Sequence, residues 1–182
     1  MGDPNQPAPV LLMLAAFSRH PAALDWAGQR AVAAWGDLAL ESPRFAFGET
    51  DYYEPTMGPG LQKCFWAFQQ RFDPAELAAV KLQTNDWEAE YARQGRHDDL
   101  RPLNLDPGYL TPAKLVLAST KDHAHRIYLA RGIYAEVTLS FKDRQWRAHP
   151  WTFPDYRRAD YQQFFSECRQ RVLAAQREDR GR

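Results

Sequence analysis

Apolar residues run without interruption from Val10 to Phe17, and a short continuous run of this kind predicts a buried strand. The period then changes. Leu24, Ala27, Ala31 and Trp35 recur at helical spacing behind Pro21 and ahead of Gly36, which predicts a helix between them. Phe45 and Phe47 alternate along a second strand, expected to continue through Thr50-Asp51-Tyr52-Tyr53-Glu54. Gly58-Pro59-Gly60 turns the chain, and Cys64, Trp66 and Phe68 share one face of a third strand. Asp73-Pro74-Ala75-Glu76 supplies the N-cap, N1 and N3 residues of a second helix. Its buried face reads Leu77, Val80, Thr84, Trp87, Tyr91, and Gly95 closes it. The order β-α-β-β-α predicts a ferredoxin-like opening.

The segment Arg96–Pro112 reads as irregular, with Asp106 in a Pro-Gly turn. It is too short for a flexible linker. Thr111-Pro112 fits the cap of a short helix through Leu117, while Lys114–Leu117 also fits a strand, and the helix is favoured. His125–Leu129 and Ile133–Leu139 form a hairpin around Ala130-Arg131-Gly132, with Gly132 as the left-handed residue. Arg144–Pro150 reads as a further strand. Tyr161, Phe164, Phe165, Cys168 and Val172 mark a final amphipathic helix, for which Asp155 fits the N-cap. The expectation is one α+β domain over residues 1–182 with a mixed or antiparallel sheet, a β-hairpin and a C-terminal helix. Residues 1–8 would be a disordered lead-in and 177–182 a frayed tail.

The hairpin register gives the first candidate chemistry. Pairing Leu129 with Ile133 sets Tyr128 opposite Tyr134 and Arg126 opposite Glu136. His125, Ile127, Leu129, Ile133, Ala135 and Val137 then form a core face, and Arg126, Tyr128, Tyr134, Glu136 and Thr138 the other. Arg126–Glu136 fits a plain cross-strand ion pair. It equally fits an arginine fork, backed by Glu136, presented to a carboxylate or phosphate beside two tyrosines. His125 fits a satisfied core histidine, and Lys81 a lysine snorkelling beside the apolar stripe of its helix. Asp51 shares the parity of Phe45 and Phe47, an inward position at a strand end where burial raises an unpaired carboxylate.

Composition narrows the function classes. Hydrophobic residues make up 45% of the chain, enough for one sizeable core, and 23 Lys and Arg balance 23 Asp and Glu. That balance argues against a strongly basic nucleic-acid binder. Arg157-Arg158 beside Tyr156, Tyr161 and Trp151 suggests a grip on single-stranded RNA, but those aromatics stand at core spacing. Cys64 and Cys168 form no CxxC, so neither a disulfide framework nor a structural zinc site is expected. No apolar run approaches the roughly 20 residues of a membrane span, and no basic leader precedes Val10, so a cytoplasmic protein is expected. Phosphate-loop, GxGxxG, GxSxG, HExxH and EF-hand patterns do not occur; Thr120-Lys121-Asp122 has the wrong spacing for a guanine-reading element.

A wider set of motifs stands in order along the chain: Thr50–Glu54, Met57-Gly58, Asn104–Tyr109, Ser119–Asp122, His125–Leu129, Gly132–Leu139 and Trp151–Arg157. With these motifs the chain resembles the bacterial and archaeal family of domains of unknown function numbered 4416, from about Pro9 to the last helix. His123, where an aromatic is expected, and the extra proline Pro59 depart from that pattern. The resemblance implies no activity. It does imply which polar residues belong to motifs, among them Asp51, Glu54, Asn104, Asp106, Lys121, Asp122, His125, Arg126, Glu136, Asp155 and Arg157.

Two readings of function follow. In the first, a small anionic ligand (phosphorylated, nucleotide-like or carboxylate) is bound by Lys121, Arg126, Glu136, Tyr128, Tyr134 and Arg157. Asp51, Asp106 and His125 are then the candidate catalytic groups, and Asp51, Glu54 and Asp106 candidate ligands of Mg²⁺ or another divalent ion. This predicts Asp51, Asp106, Lys121 and Arg126 in one pocket. In the second, Tyr128, Tyr134 and Trp151 form an exposed patch for another protein or a second copy of the chain. A third possibility leaves every motif residue to turns, caps and ion pairs.

Overall fold

A computed structural model describes residue 3 and residues 7–180, with the side chains of 179 and 180 excepted. The expected lead-in and tail therefore fall partly outside the described residues. The elements are β1 (Val10–Ser18), α1 (Pro21–Trp35), β2 (Leu38–Glu41), β3 (Phe45–Phe47), α2 (Glu54–Met57), β4 (Leu61–Phe72) and α3 (Leu77–Arg93). There follow β5 (Asn104–Leu110), β6 (Lys114–Ser119), β7 (Ile127–Ala130), β8 (Ile133–Lys142), β9 (Gln145–Ala148) and α4 (Ala159–Arg180).

β1 is apolar from Val10 to Phe17 because both of its faces are covered. Leu12, Leu14 and Ala16 pack with Cys64, Trp66 and Phe68 under α1 and α3. Leu11, Met13 and Ala15 pack with Phe65 and Ala67 on the opposite face, against Tyr161, Phe164, Phe165, Cys168 and Val172 of α4. Phe65 alone touches the rings of Tyr156, Tyr161, Phe164 and Phe165. Full burial of such a side chain is worth about 2–3 kcal/mol. All strand pairs are antiparallel, in the order β2-β4-β1-β5-β6-β8-β7, with β3 also on β4 and β9 also on β8. The result is a mixed α+β molecule with one antiparallel sheet, two long helices on one face and the C-terminal helix on the other.

Four local expectations are corrected. The strand begun at Phe45 stops at Phe47, which already pairs with Leu61, the first residue of β4, so β4 offers it no partner beyond that point. Asp51 is therefore not on an inward strand row; it lies exposed in the turn before α2. Asp106-Pro107-Gly108 is not a turn but the middle of β5, paired with β1 from Asn104 to Leu110. Here seven pairs with a buried strand override local turn chemistry. Lys114–Ser119 is a strand, held between β5 and β8, rather than a short helix.

The hairpin also differs from the expected one. Tyr128 pairs with Tyr134 and Ile127 with Ala135 as expected, but Ala130 pairs with Ile133 and Leu129 is bulged out. The loop is then the two residues Arg131 and Gly132, with φ of 52° and 78°, the backbone of a type I′ turn. Ile133, Ala135 and Val137 pack toward α3 with Leu77 and Ala78. Ile127 and Leu129, at the sheet edge, are 74% and 39% exposed, so the apolar face does not extend across β7.

Candidate functional site

β5 and β6 pair only where Gly108, Tyr109 and Leu110 meet Leu117, Val116 and Leu115. A Cβ on Gly108 would stand 2.2 Å from the Val116 carbonyl oxygen, so only glycine permits this approach. Pro107 offers no N–H, and from there back to Asn104 the two strands run unpaired with each other. A cavity of about 560 Å³ opens beside this fork, bounded by Asn104, Asp106, Leu117, Ala118 and Ser119 and closed by loops from both sides.

The floor carries buried charge. Lys63 of β4 and Lys81 of α3 are 3% and 4% exposed. Lys63 Nζ donates to Asp155 Oδ2 at 2.6 Å and sits 4.4 Å from the centre of the Tyr156 ring. Lys81 Nζ donates to the Leu105 carbonyl at 2.7 Å and to Asp106 Oδ1 at 3.1 Å, while Asn104 Nδ2 donates to Asp106 Oδ2 at 2.7 Å. Burial alone would push the Asp106 carboxyl up. The charges of Lys81 and Lys63 and the donated hydrogen bonds outweigh it and hold Asp106 below the usual carboxylate range. Asp155 is thus no helix cap: it lies in the 3-10 turn Pro154–Arg157 and its carboxylate serves Lys63. Nor does Lys81 snorkel to solvent. Behind this floor Glu88 accepts from Arg101 and from the Leu105 N–H, its carboxyl raised chiefly by burial.

The wall is built on Glu136 of β8. Its carboxylate receives Arg126 Nε at 2.8 Å and the Thr138 hydroxyl at 3.2 Å, and His125 Nε2 lies 3.1 Å away. Arg126 also donates from Nη1 to Ser119 Oγ at 2.6 Å and to the Lys121 carbonyl at 3.1 Å. Its fork is spent on the fold more than on the cavity. The imidazole of His125 is no core group but stacks on Trp151, whose other neighbour in the stack is His149. At the mouth, Lys121 Nζ donates to the Tyr52 hydroxyl at 3.0 Å and lies over that ring, and this bond holds the exposed Tyr52 phenol below its usual range.

The cavity therefore gathers Asp106, Lys121, His125, Arg126 and Glu136, but not every expected residue. Asp51 and Glu54 are exposed and outside its lining, so the expected carboxylate cluster of Asp51, Glu54 and Asp106 is not assembled. Among the described residues no three His, Cys, Asp or Glu side chains stand together to hold a metal ion. Tyr128 and Tyr134 pack edge to face at the sheet edge and are not part of the cavity's lining. Arg157 donates to the carbonyls of Thr152, His149 and Pro150 and shapes that loop instead. Lys63 and Tyr156 line the cavity without having been singled out as site residues. Lys63 had a legible signal, because it shares the parity of Phe65 and Ala67, both buried.

The chain is thus a mixed α+β protein whose antiparallel sheet forks around a cavity lined by paired charges. Residues 8–172 match the family model described as Domain of unknown function (DUF4416), and the chain belongs to that family. No curated protein and no solved structure matches it. Among the described residues no helix is long and apolar enough to cross a membrane.

Proposed function

We propose that the cavity binds a small anionic ligand, phosphorylated, nucleotide-like or carboxylate, with the anionic group held at Lys121. One observation carries this reading. Lys63, Lys81, Arg101 and Arg126 each have a carboxylate within 3.1 Å, whereas among the described residues none lies in ion-pair range of Lys121. Lys121 is thus the cation with charge to spare, placed where a ligand enters. Asp106, kept ionised, and His125, fixed through Nε2 by Glu136, are the groups to which acid–base chemistry on that ligand would fall. The test is a thermal-shift panel of phosphate, nucleotides, sugar phosphates and carboxylates, with and without Mg²⁺ or Mn²⁺. A ligand at about 100 times its Kd adds roughly 2.7 kcal/mol. The stabilisation should vanish in Lys121→Ala; a panel without any response, or one unchanged in the variant, overturns the reading.

A second reading, a non-catalytic interaction module, draws support from β7. Ile127, Tyr128 and Leu129 are 74%, 57% and 39% exposed on an edge strand that carries neither lysine nor proline. Concentration-dependent association that is lost in Tyr128→Lys would favour it. A ferredoxin-like reading of the first half is supported by the order β2-β4-β1-β5 with α1 and α3 packed on one face. The cytoplasm is the compartment we favour, in keeping with the free, buried thiols of Cys64 and Cys168.

A further inference from the structure

We infer that the ligand is charged at one end only: a phosphate group at the mouth and an uncharged, hydroxyl-rich body reaching the floor, the chemistry of a sugar monophosphate. This rests on the reading that the cavity binds an anion, and adds the ligand's class and direction.

Free charge is distributed unevenly along the depth of the cavity. At the mouth, among the described residues, the Lys121 ammonium has only the hydroxyl and ring of Tyr52 as partner, with Thr120 and His123 beside it in the lining. At the floor every charge is already met, Lys63 by Asp155 at 2.6 Å and Lys81 by Asp106 at 3.1 Å. A second ligand charge there would be buried against no free counter-charge, and an unpaired buried ion costs several kcal/mol. Neutral donors and acceptors meet the opposite situation. The Asp106 carboxylate is 28% exposed and takes one donor on each oxygen, although a carboxylate accepts about four. Tyr156, 1% exposed and part of the lining, has a hydroxyl with no hydrogen-bond partner. A buried hydroxyl of that kind is costly unless something accepts from it or donates to it. Ligand hydroxyls donate to the open lone pairs of Asp106, and a shift of the Tyr156 side chain that opens its buried hydroxyl to the cavity would let them accept from it as well. The cavity's 560 Å³ falls in the usual range for small-ligand sites.

The experiment is isothermal titration of the full chain with inorganic phosphate, glycerol 3-phosphate, ribose 5-phosphate, glucose 6-phosphate and fructose 1,6-bisphosphate. At least one of the three monophosphates should bind about tenfold or more tighter than inorganic phosphate, and the bisphosphate should lose that gain. Tyr156→Phe, which removes a hydroxyl without a partner, should fold normally. It should shrink the gain over phosphate while leaving phosphate affinity unchanged, and Lys121→Ala should weaken phosphate and monophosphate alike. Phosphate binding with no monophosphate gain, a bisphosphate as tight as the monophosphates, or a gain untouched in Tyr156→Phe overturns the inference and leaves the anion site standing. Silence from phosphate and every ester overturns the inference, and silence that extends to the nucleotides and carboxylates of the thermal-shift panel overturns the anion site as well.

Discussion

Asp155→Asn isolates the charge at the cavity floor. The change keeps the shape of the side chain but leaves the Lys63 ammonium, in a residue 3% exposed, without its partner at 2.6 Å. Around that ammonium stand the rings of Tyr156, Phe47, Phe17 and Phe65, at 4.4, 5.0, 5.3 and 5.7 Å. Cation–π attraction returns roughly 0.5–2 kcal/mol at such sites, too little to replace a carboxylate. Breaking a buried pair costs about 3–5 kcal/mol, so the variant should lose about 3 kcal/mol. For a chain of this size that lowers the melting midpoint by roughly 6–12 °C. Removing both charges, as Lys63→Met with Asp155→Leu, should restore stability to within about 1 kcal/mol of wild type, because neither ion is then desolvated alone. Urea unfolding at neutral pH reads all three proteins. A loss under about 1 kcal/mol in Asp155→Asn, or a double variant less stable than the single one, would refute the claim that this pair is desolvated. Should the double variant fold well and fail to bind the monophosphates, the ionic floor is retained for the ligand and not for the fold.

Gly108→Ala should cost roughly 2–3 kcal/mol in urea unfolding, since its methyl would meet the Val116 carbonyl at 2.2 Å and push β6 off β5. An unchanged midpoint would mean the strands separate freely there. Asp106 titrates below the ordinary carboxylate range in the folded protein, so its contribution is full above about pH 4 and is lost as pH falls through its lower folded value. Asp106→Asn should therefore unfold less steeply in acid than wild type, and an equal slope contradicts the assignment. His97 is lowered by burial and by His20, whose ring stacks on it at 3.6 Å. The folded state then binds fewer protons than the unfolded state below about pH 6.5, and stability falls there as pH drops. His97→Gln should flatten that fall. Arg131→Asn in the type I′ turn should add about 0.5–1 kcal/mol, as asparagine accepts a φ of 52° more readily.

The elements read correctly from the chain are those whose local pattern and tertiary role agree. β1 is apolar because it is central, and the faces of α3 and α4 follow from spacing alone. The Tyr128–Tyr134 pairing matches the expectation although the turn does not, because the bulge at Leu129 takes up the residue by which the loop is shorter than expected. β5 was not. Asp106-Pro107-Gly108 reads as a turn from composition, and only the partner strand β1 makes it extended. The same fork that hides β5 creates the cavity, so the misread segment and the site are one place. His125 and Arg126 were found because they stand at the hairpin, and Lys121 because it stands in a motif beside it. Lys81 reads as a stem bound for water, as a lone lysine beside an apolar stripe does, and no motif marks Lys63. What turns each inward is a carboxylate far along the chain, Asp155 for Lys63 and Asp106 for Lys81.

The central claim is that an anion is held at Lys121 in the forked sheet. Amide chemical-shift mapping with glucose 6-phosphate and inorganic phosphate tests it most directly. Shifts confined to residues 119–126, the loop holding Thr50–Tyr53 and, for the sugar ester alone, the segment around Asp106 and Tyr156 are the predicted result. Shifts centred on β7 or scattered over surface arginines, with those segments silent, would contradict it.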